Sequence, residues 1–174
     1  MGIIQAFDYQ VRKPNAAQVA MQHIAATRAG AWFFARTLDH IDRALLRFSR
    51  GQLSVPGIVA GLPVLTVTTT GARSGQRRSA PLVGVPAGND IAVIGTSFGQ
   101  PRTPGWYYNM RADPAVEVTY RDKTVQAIAR EAGEEEKQAI WDHAKTIYLG
   151  YQVYASRIKN RQIHIMVLST RELQ

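Results

Sequence analysis

Four short runs of this 174-residue chain hold the residue types from which a ligand site is built. The first is Gly71-Ala72-Arg73-Ser74-Gly75-Gln76-Arg77-Arg78-Ser79. Its two glycines permit a tight turn and its serines can donate hydrogen bonds. Arg73, Arg77 and Arg78 can neutralise a phosphate or carboxylate through forked, charge-assisted bonds. The spacing predicts an anion cradle in which backbone N–H groups turn toward one point; the plainer reading is a glycine-containing hairpin loop with solvated arginines. The run is neither a Walker loop nor a dinucleotide fingerprint, because the Lys-Ser/Thr ending and the third glycine are missing.

The second run, Gly95-Thr96-Ser97-Phe98-Gly99, has the spelling of a nucleophile elbow with Ser97 as nucleophile. An elbow needs a helix directly after the turn, whereas Pro101 and Pro104 follow here, so serine hydrolysis with His143 or His164 as base is set aside. The glycines instead open a backbone surface that a ligand can approach. The third run, Pro104-Gly105-Trp106-Tyr107-Tyr108-Asn109, predicts a short helix with proline near its first turn. Its aromatics and one amide suit a flat heteroaromatic ligand, or simply fill core. The fourth is Tyr148, Tyr151 and Tyr154, whose spacing by three would put them on one side of a helical turn. Three phenols there suggest a pocket wall that stacks on a ring and donates a proton or hydrogen bond to a carbonyl oxygen.

No His-x-x-x-His or clustered carboxylate pattern supports a metal site. There is no cysteine, which removes disulfides, thiolate metal sites and cysteine nucleophiles and fits a reducing, cytoplasmic home. Asp8, Arg12 and Lys13 interrupt any signal-like apolar run, and Ala6 stands where a myristoylation motif wants Ser or Thr. No stretch approaches the ~18 uncharged apolar residues of a membrane span. The formal charge of +8 favours an anionic partner or an acidic surface. The basic residues gather on one helix and one loop without a nucleic-acid module, so nucleic acid is not expected.

These runs must be positioned by a scaffold, and the hydrophobic period tells its kind. From Pro14 to about Arg50 the chain favours helix, with a break predicted near Gly30. Phe34, Leu38, Ile41, Leu45 and Phe48 form an apolar stripe opposite Arg36, Arg43, Arg47 and Arg50; residues 30–50 could therefore cover the core or lie on an anionic membrane as a peripheral contact. Strands follow at Val64 to Thr70, Ser79 to Val85, Ile91 to Gly95, Val116 to Tyr120, Thr124 to Arg130 and Gln162 to Ser169. A helix begins at Glu134-Glu135-Glu136 and runs past Trp141 toward Tyr148. Short turns between strands and helices grouped at the ends argue for α+β, closed most economically as a small antiparallel barrel of about six strands. The chain divides into an N-terminal helical segment, 1–63, and a barrel, 64–174, within one folded unit.

Taken in order, Leu65 to Arg78, Pro81-Leu82, Pro104 to Asn109, Ala112-Asp113-Pro114 and Tyr148-x-x-Tyr151-x-x-Tyr154 resemble the deazaflavin-dependent nitroreductase family. That family comprises split β-barrel oxidoreductases of actinobacteria and relatives. The resemblance implies coenzyme F420, an 8-hydroxy-5-deazaflavin whose tail carries a phosphate and several glutamates. It also implies Ala72, Arg73, Ser74 and Arg78 on the phosphate side and Thr96 and Ser97 beside the coenzyme. Trp106 and Asn109 would hold the ring system, Pro81, Val83 and Gly105 would complete the cofactor-binding set, and Tyr151 would lie nearest the ring. Tyr148, Tyr151 and Tyr154 would be the catalytic tyrosines lining the substrate pocket. Val83 stands where characterised nitroreductase members carry tyrosine, so weak or no nitroimidazole activity is expected. The implied function is hydride transfer from the reduced coenzyme to a quinone or enone acceptor; the alternative is an F420- or FMN-binding carrier without turnover.

Overall fold

The computed structural model describes residues 2–33, 36 and 61–170. Six strands form a closed antiparallel barrel in the order β1-β2-β3-β6-β5-β4. They are β1 (Val64–Thr70), β2 (Arg77–Ala87), β3 (Asp90–Ile94), β4 (Ala115–Tyr120), β5 (Lys123–Glu131) and β6 (Ile165–Thr170). Closure is made by β1 against β4, with Val67 opposite Val118. This α+β barrel is the predicted fold, and it leaves no unpaired sheet edge.

Alternation along the strands sorts side chains into two cores. Leu65, Val67, Val93, Val116, Val118, Met166 and Leu168 fill the barrel interior. Each such fully buried aliphatic side chain contributes about 1.5–3 kcal/mol. The opposite rows of β2, β3 and β6, including Val85, Ala92, Ile94, Ile165 and Val167, make a second core with the C-terminal helices. Helix α1 (Ile3–Phe7) closes one end, where Ile4 N–H reaches the Asn89 carbonyl in the β2–β3 turn. The other end holds the β1–β2 loop, the end of β3 and helix α3 (Gly105–Ala112), whose Tyr107 and Met110 join the interior core.

The sequence places several boundaries differently from the structure. Helix α2 (Ala16–Ala26) ends at Thr27 rather than Gly30, and helix resumes at 28–33. The Thr27 hydroxyl causes this: it donates to the Ile24 carbonyl of the finished helix and accepts from Gly30 N–H of the next. Gly30 therefore lies inside a helix. The stripe of Phe34, Leu38, Ile41, Leu45 and Phe48, with Arg43, Arg47 and Arg50, lies outside the described residues. β2 is longer than predicted because Arg77 and Arg78 extend its pairing with Thr70 and Thr69. β6 starts at Ile165, not Gln162.

The predicted long helix is present as α4 (Glu134–Ile147), with three glutamates in its first turn and Glu136 accepting from Gly133 N–H. The tyrosines, however, do not share one helix. Tyr148 is the extended C-cap of α4 (φ −144°, ψ 113°), and α5 (Gly150–Arg157) carries Tyr151 and Tyr154.

Candidate functional site

Loop 71–76, the turn after β3 and helix α3 meet at one barrel end because β1, β3 and β5 all finish there. The β1–β2 loop is a compact hairpin. Gly71 N–H donates to the Gln76 carbonyl at 2.8 Å, while the Gly71 carbonyl accepts from Ser74 and Gly75 N–H. Ser74 Oγ accepts from Gln76 N–H, and a Cβ on Gly71 would come within 2.7 Å of that oxygen, so a side chain there would press Ser74 off this bond. Gly75 adopts φ +65°.

This corrects one expectation from the sequence. The loop amides do not converge on an external point, because those of Gly71, Ala72, Ser74, Gly75 and Gln76 are all spent within the turn or on Asn109. What the loop offers an anion is guanidinium. Arg77 pairs with Glu117 at 2.7 Å, whereas exposed Arg73 and Arg78 have no carboxylate partner among the described residues. Two exposed cations on one hairpin, neither paired with a carboxylate among the described residues, fit a polyanionic tail of the kind a deazaflavin coenzyme carries.

Asn109 is the brace of this loop. Its Oδ1 accepts Ala72 N–H at 3.0 Å, and its Nδ2 donates to Thr69 Oγ1 at 3.0 Å. Thr69, buried on the inward row of β1, passes the link on by donating to the Arg78 carbonyl. The sequence gives Thr69 no role of its own, although a threonine on a barrel-facing row is a legible signal, since a polar group there needs a partner. Trp106 is half-buried against the interior core, and Gly105 faces open space. Pro81 and Val83 are half-buried on β2, opposite Thr66 and Val64, and Val83 packs on the core that contains the tyrosines.

A second set of residues, of which Glu131 and Arg111 are not singled out by the sequence and His164 and Tyr107 are considered there in other roles, fastens α3 to the sheet. Glu131, at the end of β5, accepts from His164 Nδ1–H at 2.8 Å, from the Tyr107 hydroxyl at 3.3 Å and from Arg111 at 3.2 Å. Tyr107 also stacks on the His164 ring, with centroids 3.9 Å apart. The His164 hydrogen bond is the chief reason that the Glu131 carboxyl is held below its usual pKa.

The Ser97 turn is left-handed at three successive residues, Ser97 (φ 45°), Phe98 (φ 56°) and Gly99 (φ 77°). It packs on α5: the Phe98 ring meets Tyr154 edge-on at 5.7 Å. A one-turn 3-10 helix, not an elbow, follows the strand.

Tyr148, Tyr151 and Tyr154 are brought together although they belong to different elements. Ring centroids lie 5.6 Å apart for Tyr148–Tyr151 and 6.0 Å for Tyr148–Tyr154. Gly150 makes this possible, since a Cβ there would overlap the Tyr148 ring. The Tyr154 hydroxyl donates to the Ala25 carbonyl at 3.0 Å, which leaves its oxygen to accept from Tyr148 at 2.9 Å. Arg157 donates to the neighbouring Ala26 carbonyl, so the open C-terminus of α2 is capped from α5. All three phenols are buried, and burial raises their pKa values, so they stay protonated donors at ordinary pH. The Tyr151 hydroxyl makes no hydrogen bond among the described residues.

Comparison with known proteins places these features in context. A family model described as F420H2-dependent quinone reductase matches residues 41–170. An F420H2-dependent quinone reductase of Mycobacterium tuberculosis is 29% identical over 142 residues, 77% of this chain and 91% of its own. The solved structure of an F420H2-dependent reductase is 34% identical, covers 61% of this chain and 93% of its own, and has a TM-score of 0.55. A second structure, described as a domain-swapped dimer, is 32% identical over 75% of this chain and 97% of its own, with a TM-score of 0.57.

Proposed function

The chain belongs to the F420H2-dependent quinone reductase family, and we propose from that premise that it reduces a quinone or enone acceptor at the barrel end defined by the β1–β2 loop, the Ser97 turn and α3. The observation that carries the site is that the exposed guanidinium groups of Arg73 and Arg78, on a hairpin braced by Asn109, have no carboxylate partner among the described residues. Coenzyme F420, bound reduced, supplies the hydride. Arg73 and Arg78 hold its anionic tail, and Ala72 and Ser74 shape the hairpin that carries them. Thr96, Ser97, Pro81, Val83, Gly105, Trp106 and Asn109 surround the ring region, with Tyr151 nearest it. The tyrosines exclude water and hold protonated phenols beside the acceptor.

Val83 supports a quinone over a nitroimidazole, because an aliphatic side chain packed on the tyrosine core adds no polar contact to the pocket. The test is oxidation of reduced coenzyme by menadione, cyclohexenone and a bicyclic nitroimidazole. Rapid turnover with menadione and little with the nitroimidazole is expected; equal rates, or turnover confined to the nitroimidazole, would overturn the acceptor assignment. The engaged hydroxyls of Tyr148 and Tyr154 favour one competing reading, a carrier that binds F420 or FMN without turnover, since a carrier needs no free phenol. Saturable binding with no oxidation by any acceptor would select it.

A cytoplasmic protein that touches the inner face of the membrane through residues 30–50 is a further part of this reading. Trp32 and Phe33 are exposed, and the Arg36 guanidinium lies over the Trp32 ring at 5.6 Å, an arrangement suited to an anionic headgroup layer. Flotation with anionic vesicles but not neutral ones is expected; no flotation with either would remove the membrane contact.

A further inference from the structure

Arg161, between α5 and β6, spends its guanidinium on backbone carbonyls alone. Nε donates to Gln100 at 3.1 Å, Nη1 to Gly95 at 2.9 Å and Gln162 at 3.0 Å, and Nη2 to Thr96 at 3.0 Å. Three of those four carbonyls belong to the turn between β3 and α3. No carboxylate lies within ion-pair distance of Arg161 among the described residues, although partial burial lowers its pKa. A half-buried cation without a counter-ion is costly unless its donors are satisfied, and the four carbonyl bonds are what satisfy them here.

The turn itself needs such a hold. Ser97 and Phe98 are non-glycine residues in the left-handed region, a conformation that costs about 1–3 kcal/mol each and persists only where surrounding contacts enforce it. Its own backbone supplies two closing bonds, Gly99 N–H to Thr96 and Gln100 N–H to Ser97. The planar fork of Arg161 gathers the outlying carbonyls of Gly95, Thr96 and Gln100 onto one group. The Ser97 hydroxyl and N–H have no partner among the described residues and stay available to a ligand.

We propose that Arg161 is a positioning residue for the coenzyme, acting by fixing the turn that presents Thr96 and Ser97. This rests on the reading above that those two residues lie beside the coenzyme. Lysine keeps the charge but cannot reach carbonyls on both sides of the turn, so geometry and charge are separable.

The experiment is steady-state turnover of the full chain with menadione, comparing wild type, Arg161→Met and Arg161→Lys, with Tm measured for each. KM for the reduced coenzyme should rise about tenfold in Arg161→Met, while KM for menadione stays within about twofold of wild type. Arg161→Lys should recover only part of that loss, and it carries the test if the methionine variant does not fold. Unchanged coenzyme KM in a folded variant would overturn the proposal, as would a fall in Tm with both KM values moving together. A wild-type chain that shows no saturation in coenzyme would instead defeat the placement of Thr96 and Ser97 on which the proposal stands.

Discussion

Arg73, Arg77 and Arg78 have the same side chain within six positions, yet their surroundings divide them. Arg77 is committed to Glu117, while Arg73 and Arg78 pair with no carboxylate among the described residues. Alanine at Arg73 or Arg78 should weaken coenzyme binding by roughly 10- to 100-fold each, as the loss of a charge-assisted bond requires. Arg77→Ala should cost markedly less, and a fluorescence titration of the three variants checks the order. The spacing predicts an anion cradle here but not that most of the loop's amides are consumed within the turn or by Asn109, because that depends on Asn109 arriving from a segment 37 positions away. Asn109→Ala should strand Ala72 N–H, remove the donor to Thr69 Oγ1 and lower stability by about 1–3 kcal/mol in denaturant unfolding. At the tyrosines, Gly150→Ala should displace the Tyr148 ring and reduce both Tm and turnover, whereas Tyr154→Phe removes the hydroxyl links to Ala25 and to Tyr148 and should cost about 1–3 kcal/mol.

Helix α3 is placed by charge as much as by packing. Glu131 gathers Tyr107, Arg111 and His164, so the helix that carries Asn109 and Trp106 is tied to the ends of β5 and β6. The folded-state pKa of Glu131 is lowered, so its contribution to stability is complete above the unfolded value of about 4.3 and is lost as pH falls through the lower folded value. Tm of the wild type should therefore fall more steeply below about pH 4.3 than Tm of Glu131→Gln, and the two curves should converge in acid. Parallel curves would mean that Glu131 is not holding α3. Helices and strands were legible in the sequence because their apolar periods differ, and the three glutamates announced the start of α4. The α2 break was misplaced by sequence reasoning because a threonine side chain that caps two helices at once outweighs a nearby glycine. Three tyrosines at a spacing of three looked helical, yet they converge across a helix boundary, and a period alone cannot distinguish these.

The described residues form a closed barrel in a chain of formal charge +8, capped by α1 at one end and by the β1–β2 loop, the Ser97 turn and α3 at the other. The fold was readable because six short strands separated by turns admit few closures. The candidate site was readable only in part, since Thr69, Glu131, Arg161 and His164 gain their partners from the barrel's closure, which brings the ends of β1, β3 and β5 together. A net positive field concentrates an anionic coenzyme near the chain, and salt at 1 M shortens the screening length to about 3 Å, so affinity should fall with ionic strength. The most direct measurement is a titration of coenzyme F420 fluorescence with the purified chain at low and high salt, with FMN alongside. Saturable F420 binding that salt weakens, with no comparable binding of FMN, is the predicted result; no saturable F420 response at either salt, or a preference for FMN, would contradict it.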